Sequence, residues 1–211
     1  MPNQSRGALS RALVVATLIA ATCSQRPAAF PTAGLWFEPN ACAIPEGASA
    51  TFPPLNRDEV ALIQQHARGE LEQAFSGLRI HVAEDRTAFW RVQVMASLPA
   101  RAHSAFPKAG ESVALGILGG TGAVGFDLVA LNAIRYAPVG ASRQTIVDGI
   151  GRGVGRVAIH EFAHQILGVT DIHNPDDQDS YEYPSPDRPS QYYGDLHWTH
   201  AWPLLQKRLG T

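Results

Sequence analysis

The chain has 211 residues, which suits one domain of good size and is too short for two generous ones. Hydrophobic residues make up 45% of the sequence and charged residues 17%, so the composition supports a real core and excludes a disordered chain. The formal net charge of -2, without any basic run, argues against broad binding to nucleic acid or to an anionic membrane surface.

The amino terminus has the layout of a secretory signal peptide, which we predict over residues 1–23. Two arginines precede the apolar run 12–21, and polar, proline-rich sequence follows it. The run is half as long as the stretch of about 20 apolar residues that a membrane-spanning helix needs. Cys23 follows the run as in a lipoprotein cleavage box, although Thr22 before it counts against lipidation. We therefore predict an exported protein that is secreted, periplasmic or, through Cys23, lipid-anchored at the cell envelope.

The mature chain begins with a segment of low regularity. Residues 24–55 are rich in Pro, Ala, Gly and Phe, so we predict an extended lead-in, with the folded domain at 56–211. From Asn56, a candidate helix cap, apolar residues recur at helical spacing to about Gly77. The sequence therefore predicts that the domain opens with an amphipathic helix.

Alternating apolar and polar residues then predict a sheet. The expected strands are 78–84, 90–97, 111–120 and 126–134. Between the last two lies GTGAVG (120–125), which matches the glycine pattern of dinucleotide-binding loops. Those loops need an acidic residue about 20 positions further on. No acidic residue stands near that distance here, the first candidate being Asp148. We interpret the glycine pattern as a hairpin turn.

A long helix is predicted from about Thr145 to Leu167. Its first half contains four glycines: Gly149, Gly151, Gly153 and Gly155. Each glycine costs a helix up to about 1 kcal/mol relative to alanine, so either the helix begins only near Arg152 or the glycines let a strand approach closely. The last turns are apolar nearly all round, which predicts a central position in the domain. Gly168 is well placed to end the helix, and a short terminal helix is predicted before the carboxyl terminus.

HEFAH (160–164), near the end of this helix, combines two histidines with a glutamate. Four helical residues turn about 400°, so His160 and His164 project from one face and can hold one Zn²⁺ at about 2.0–2.1 Å. Glu161 lies about 100° round the helix, where it can take a proton from metal-activated water and return it to the leaving amine. Without a metal, burying three such residues in an apolar helix would be costly. We predict a zinc site.

This motif resembles the active-site helix of the zincin metallopeptidases. Metzincins continue H-E-x-x-H-x-x-G-x-x-H, where the final histidine is the third ligand. This chain departs from that pattern, because Gly168 comes one residue late and Thr170 stands at the strict ligand position. The resemblance implies an α+β fold with a small mixed sheet packed on a helix and on a central HExxH helix, followed by a loop-rich C-terminal subdomain.

Three residues compete for the place of the third zinc ligand. Asp171 follows Gly168 at the interval that separates the glycine from the third ligand in zincins whose third ligand is aspartate. His173 begins a segment (173–184) similar to the one after the third metzincin histidine, with Glu182 or Tyr181 in place of the methionine. We favour His173, because imidazole is the commonest metal ligand, with Asp171 as its hydrogen-bonding partner. Glu182, by analogy with thermolysin-like enzymes, is disfavoured by two prolines just after it.

The resemblance implies a zinc-dependent metallopeptidase that acts on peptide or protein substrates as a monomer, with 56–211 as its catalytic domain. It also implies a sheet edge that lines the cleft and pairs with extended substrate, for which we predict 126–132. The candidates to hydrogen-bond the tetrahedral intermediate are Tyr181, Tyr183, Tyr192 and Tyr193. The alternative is a non-catalytic zinc-binding module, exported or lipid-anchored, against which the presence of Glu161 argues.

Overall fold

The computed structural model describes residues 30–99, 108–114, 119–168 and 172–211. Within these ranges the chain is a mixed α/β protein with a five-stranded mixed sheet and six helices. The predicted signal peptide, with Cys23, and the alternative ligand Asp171 lie outside the described residues. None of the helices in these ranges combines the length and the apolar character needed to cross a membrane.

The elements divide into strands and helices as follows. The strands are β1 (Thr32–Phe37), β2 (His81–Ala83), β3 (Trp90–Met95), β4 (Gly110–Ala114) and β5 (Gly120–Gly125). The helices are α1 (Glu46–Ser49), α2 (Arg57–Ala74), α3 (Phe126–Arg135), α4 (Arg143–Leu167), α5 (Ser190–Tyr193) and α6 (Ala201–Leu209). The order of these elements agrees with the predicted α+β class.

The sheet has the strand order β2-β1-β3-β5-β4. Strand β1 runs parallel to β2 and β3, and β3 runs parallel to β5. Only β4, among the described strands, is antiparallel to its neighbour, and its register pairs Gly110 with Val124 and Ala114 with Gly120. Among the described strands, β4 is therefore an edge strand of the sheet.

Helix α4 is the central element of the domain. It contacts α2, α3, α5, α6 and three of the strands. The Ser142 hydroxyl caps its first turn by accepting from the Thr145 amide at 3.1 Å. Gly168 ends it in the left-handed conformation, with φ of 66°, and donates to the His164 carbonyl at 3.0 Å. The predicted end at Gly168 is thus confirmed, and the helix begins at Arg143, close to the predicted start at Thr145 and not near Arg152.

The glycines of α4 allow close approach by another helix and by tyrosine rings, not by a strand. A Cβ at Gly155 would lie 2.6 Å from the Ala67 carbonyl oxygen of α2, and one at Gly151 would lie 3.0 Å from that of Ile63. On another face, a Cβ at Gly153 would lie 2.6 Å from the Tyr192 ring. Helix α2 and α4 therefore meet backbone to backbone, and this contact fixes the position of the HExxH turns.

We expect Gly155→Ala to destabilise the protein by about 1–3 kcal/mol, because the added methyl group has no space against α2. The matched change Gly69→Ala, in α2, meets no atom within 4 Å. That change should stabilise the protein by about 0.5–1 kcal/mol through its effect on chain entropy. Urea unfolding of both variants measures the two effects. Equal stability of Gly155→Ala and wild type would contradict the close helix contact.

Residues 126–134 form most of helix α3, so the prediction of a strand and of a cleft edge there is wrong. The buried apolar residues of α3 are Phe126, Val129, Ala130 and Ala133. Their spacing of three, four and seven positions is helical, and the nearly continuous apolar composition hid it. The helix start at Phe126 follows directly on β5, without the turn residues that the prediction assumed.

Three other predictions are also wrong. GTGAVG is not a hairpin turn but strand β5, where Gly120 and Gly122 leave room for the Gln165 side chain of α4. Residues 111–120 are not one strand, because β4 ends at Ala114 and β5 begins at Gly120. The lead-in 24–55 contains β1, whose short apolar sequence pairs on both sides, so the folded domain begins before Asn56. Asn56 itself caps α2 as predicted.

Candidate metal centre

Three histidine side chains converge at the carboxyl-terminal end of α4. His160 and His164 lie one turn apart on the helix, and His173 comes from the segment that follows it. The Nε2 atoms of His160 and His164 are 3.2 Å apart. One nitrogen from each of the three rings lies within 4.8 Å of the other two. The structure thus brings together the three residues that the sequence singled out as ligands.

The separation of the two α4 nitrogens suits a shared cation. Two ligands at about 2.0–2.1 Å from a tetrahedral Zn²⁺ are about 3.3–3.4 Å apart, close to the spacing of His160 and His164. Burial lowers the pKa of His160 to about 3, so its ring is neutral, as a metal ligand must be. Nitrogen donors suit zinc better than magnesium or calcium, which take oxygen ligands. The donor set is therefore one that accommodates a zinc ion.

The orientation of the His160 ring is fixed by the backbone. Its Nδ1 lies 2.8 Å from the carbonyl oxygen of Tyr181. A carbonyl oxygen only accepts, so Nδ1 carries the proton and the Nε2 lone pair faces the other histidines. The ring planes of His160 and His173 are nearly parallel, at 9°, while that of His164 stands at 80° to both. The Tyr181 carbonyl therefore selects the tautomer that a ligand at this position requires.

Glu161 is buried beside the histidines, on the side of α4 that faces β4. Burial raises the pKa of its carboxyl group to about 7, and a hydrogen bond from the Ser112 side chain opposes part of that rise. Gly110 permits the close approach of the strand, since a Cβ there would lie 2.4 Å from Glu161 Oε1. A carboxyl group with this pKa can both accept and donate a proton near neutral pH.

The histidines and Glu161 lie on a cleft of about 720 Å³. The cleft is lined by strand β4, by α4 residues between Arg156 and Gly168, and by Tyr181 and residues 183–186. An edge strand of the sheet therefore lines the cleft beside α4, but it is β4 and not the segment 126–132.

Glu182 is not a member of the histidine cluster. Its side chain is fully buried, and its carboxylate accepts hydrogen bonds from the Thr199 and Ala201 amides at 2.7 and 3.0 Å. The Glu182 carboxylate therefore binds the backbone at the start of α6. The thermolysin-like alternative, with Glu182 as the third ligand, finds no support. Asp171, the other alternative, falls outside the described residues.

The four candidate tyrosines divide into two pairs. Tyr181 and Tyr183 line the cleft. Tyr192 is completely buried, and Tyr193 donates its hydroxyl to the Ala133 carbonyl at 2.6 Å, away from the histidines. The Tyr181 ring is itself buried against Trp198, with ring centroids 5.0 Å apart. Tyr183 is therefore the cleft tyrosine whose ring is not part of the core.

A buried ion pair next to the site was missed at the sequence level. Arg156, one turn before His160, is 3% exposed, and its Nε donates to Glu70 of α2 at 2.7 Å. Its Nη1 donates to the carbonyl of Ser190 at 2.8 Å. An arginine in the apolar half of a helix signals that a buried partner must exist, although not which one. The pair joins α2, α4 and the C-terminal segment below the cleft.

Comparison with known proteins adds no relative to these observations. No family model matches the chain, and no curated protein matches it in sequence.

Proposed function

We propose that this protein is an exported zinc-dependent peptidase of the zincin type, which hydrolyses peptide bonds. The observation that carries the proposal is the convergence of three imidazoles, two from α4 and one from the segment after it, beside the buried Glu161 in a cleft. Export is proposed from the sequence of residues 1–23 alone. In this proposal His160, His164 and His173 hold the zinc ion.

The chemistry divides between the ion and Glu161. When bound, a zinc ion supplies a Lewis acid that polarises a carbonyl group and lowers the pKa of water to about 7. The Glu161 carboxylate accepts a proton from the attacking water, and the resulting carboxylic acid delivers it to the leaving amine nitrogen. A pKa of about 7 suits both roles. The Ser112 side chain orients the carboxyl group towards the cleft.

The cleft favours an extended peptide as substrate. Strand β4 is the edge strand of the described sheet and lines the cleft next to Glu161, and an edge strand can bind a peptide by adding it as another strand. Tyr183, which lines the same cleft, is the tyrosine we propose as hydrogen-bond donor to the developing oxyanion. The alternative, a zinc module without turnover, gives no role to a proton-accepting carboxyl group beside the histidines.

Cleavage of a broad peptide library by the mature protein tests this function. We expect hydrolysis that a chelator abolishes and that stoichiometric Zn²⁺ restores, because the Lewis acid is removed and then replaced. The cleavage products are identified by mass spectrometry. Hydrolysis that persists in the chelator would contradict the zinc mechanism, and a protein that binds zinc without cleaving any peptide would establish the non-catalytic alternative.

A further inference from the structure

A second set of contacts, between the segment that follows His173 and the start of α6, centres on Glu182. Both carboxylate oxygens of this buried residue accept hydrogen bonds. Oε1 accepts from the Thr199 and Ala201 amides, and Oε2 accepts from the Thr199 hydroxyl at 2.6 Å and the His200 amide at 3.1 Å. All four of these hydrogen bonds are donated to the carboxylate, and the Nε2 atom of the His200 ring also lies 3.3 Å from Oε2. Glu182 thus supplies the cap that the first turn of α6 lacks from its own N-cap residue, His200.

The same residue holds the segment that carries His173. The amide of Asn174 donates to the Glu182 carbonyl at 2.9 Å. The Asn174 side chain donates at 3.0 Å to the Thr199 hydroxyl, which in turn donates to the Glu182 carboxylate. These bonds form a closed ring. The Thr199 hydroxyl links the Asn174 and Glu182 side chains, and a backbone hydrogen bond links the same two residues. The residue next to His173 is therefore fixed twice.

Glu182 also bears on His160. The carbonyl that accepts from His160 Nδ1 belongs to Tyr181, whose carbonyl group forms the peptide bond with Glu182. The Glu182 amide is held in turn by the Ser180 hydroxyl at 3.0 Å. Displacement of the Glu182 side chain would move this peptide group and with it the acceptor for His160 Nδ1.

We propose that Glu182 is a positioning residue for two of the three zinc ligands, His160 and His173. It acts through the Tyr181 carbonyl on one side and through Thr199 and Asn174 on the other. The inference rests on the proposed function, since it assigns to Glu182 the task of holding the imidazoles ready for zinc. A role confined to capping α6 would stabilise the fold without acting on the histidines.

The test uses four variants of the full chain. Glu182→Gln replaces one carboxylate oxygen, which accepts two hydrogen bonds, by an amide group that would face other donors. Thr199→Val removes only the bridging hydroxyl. Leu205→Ala, at a completely buried position of α6, destabilises the same helix by another route. Glu72→Gln, at an exposed position of α2, is the matched chemical control. Zinc affinity is measured by competition with a chromophoric chelator, and the His160 Nδ1–H signal is followed by NMR in metal-free protein.

We expect Glu182→Gln to weaken zinc binding about 10- to 100-fold and to shift or broaden the Nδ1–H signal. Thr199→Val should weaken zinc binding less than Glu182→Gln and leave that signal in place, because it removes the side-chain bridge to Asn174 and does not touch the Tyr181 carbonyl. Leu205→Ala should lower Tm while both readouts stay at wild-type values, and Glu72→Gln should change nothing.

Two results would overturn the positioning role. One is a Glu182→Gln variant that behaves like Leu205→Ala, with lower Tm but unchanged zinc affinity and NMR signal. The other, which decides the matter if Glu182→Gln fails to fold, is wild-type zinc affinity in Thr199→Val, because the proposal requires the connection to His173 as well as the one to His160. A wild-type protein that binds no zinc would refute the proposed function instead, and the Nδ1–H signal would still show whether Glu182 positions His160.

Discussion

Glu161→Gln should lower kcat/KM for peptide hydrolysis by about 10²–10⁴-fold, the range typical of a lost general acid–base. The amide has nearly the shape of the carboxyl group and can still accept from Ser112, but it cannot take a proton from water. Zinc content should stay at the wild-type value, because Glu161 is not among the proposed ligands. Steady-state kinetics together with elemental analysis of the same sample separate the two effects.

The control for this substitution is Glu72→Gln, which makes the same chemical change at an exposed position of α2. It should retain wild-type kcat/KM and zinc content. If Glu161→Gln and Glu72→Gln hydrolyse peptides equally well, the assignment of Glu161 as the proton carrier is wrong.

His173→Ala should weaken zinc binding by more than about 100-fold, beyond the loss of about 10- to 100-fold that removal of an outer hydrogen-bonding partner causes. The reason is that one of three protein ligands disappears. The loss of zinc affinity in Asp171→Ala should lie within or below that smaller range, since Asp171 is proposed only as a hydrogen-bonding partner of the ligand. Chelator competition on both variants gives the two dissociation constants under identical conditions.

The control for the histidine change is His81→Ala, at an exposed position of β2. It should bind zinc as the wild type does. Loss of zinc in Asp171→Ala with retention in His173→Ala would reverse the assignment and make Asp171 the third ligand.

The features that local sequence predicted well are those that local chemistry decides. The HExxH motif lies on a helix because its spacing and its apolar surroundings are helical, and Gly168 ends that helix because glycine adopts the left-handed conformation easily. Asn56 and Glu59 form a capping box, which needs only residues three apart. Each of these predictions depends on contacts within one or two helical turns.

The features that sequence did not predict depend on partners far away in the chain. Strand β5 is glycine-rich because Gln165 of α4 lies against it, and β1 is a strand because β2 and β3 pair with it. The bond from His160 to the Tyr181 carbonyl likewise spans 21 positions. A backbone acceptor leaves no signature in the sequence, so this part of the site was visible only in the fold.

The four α4 glycines illustrate the limit of propensity as a guide. Their cost to the helix led to two predictions, a late helix start and an approaching strand, and neither is correct. Packing against α2 decides the outcome instead, because a larger residue at Gly151 or Gly155 would push the two backbones apart. Tertiary contact thus outweighs intrinsic preference at these positions.

X-ray absorption at the zinc edge, on the mature protein purified without added metal, tests the central claim most directly. We predict one zinc ion per chain, with three imidazole nitrogens at about 2.0–2.1 Å and one further light atom. A protein that folds fully yet carries no stoichiometric zinc, or a zinc ion whose spectrum lacks the histidine contribution, would contradict the assignment of this cluster as a metal centre.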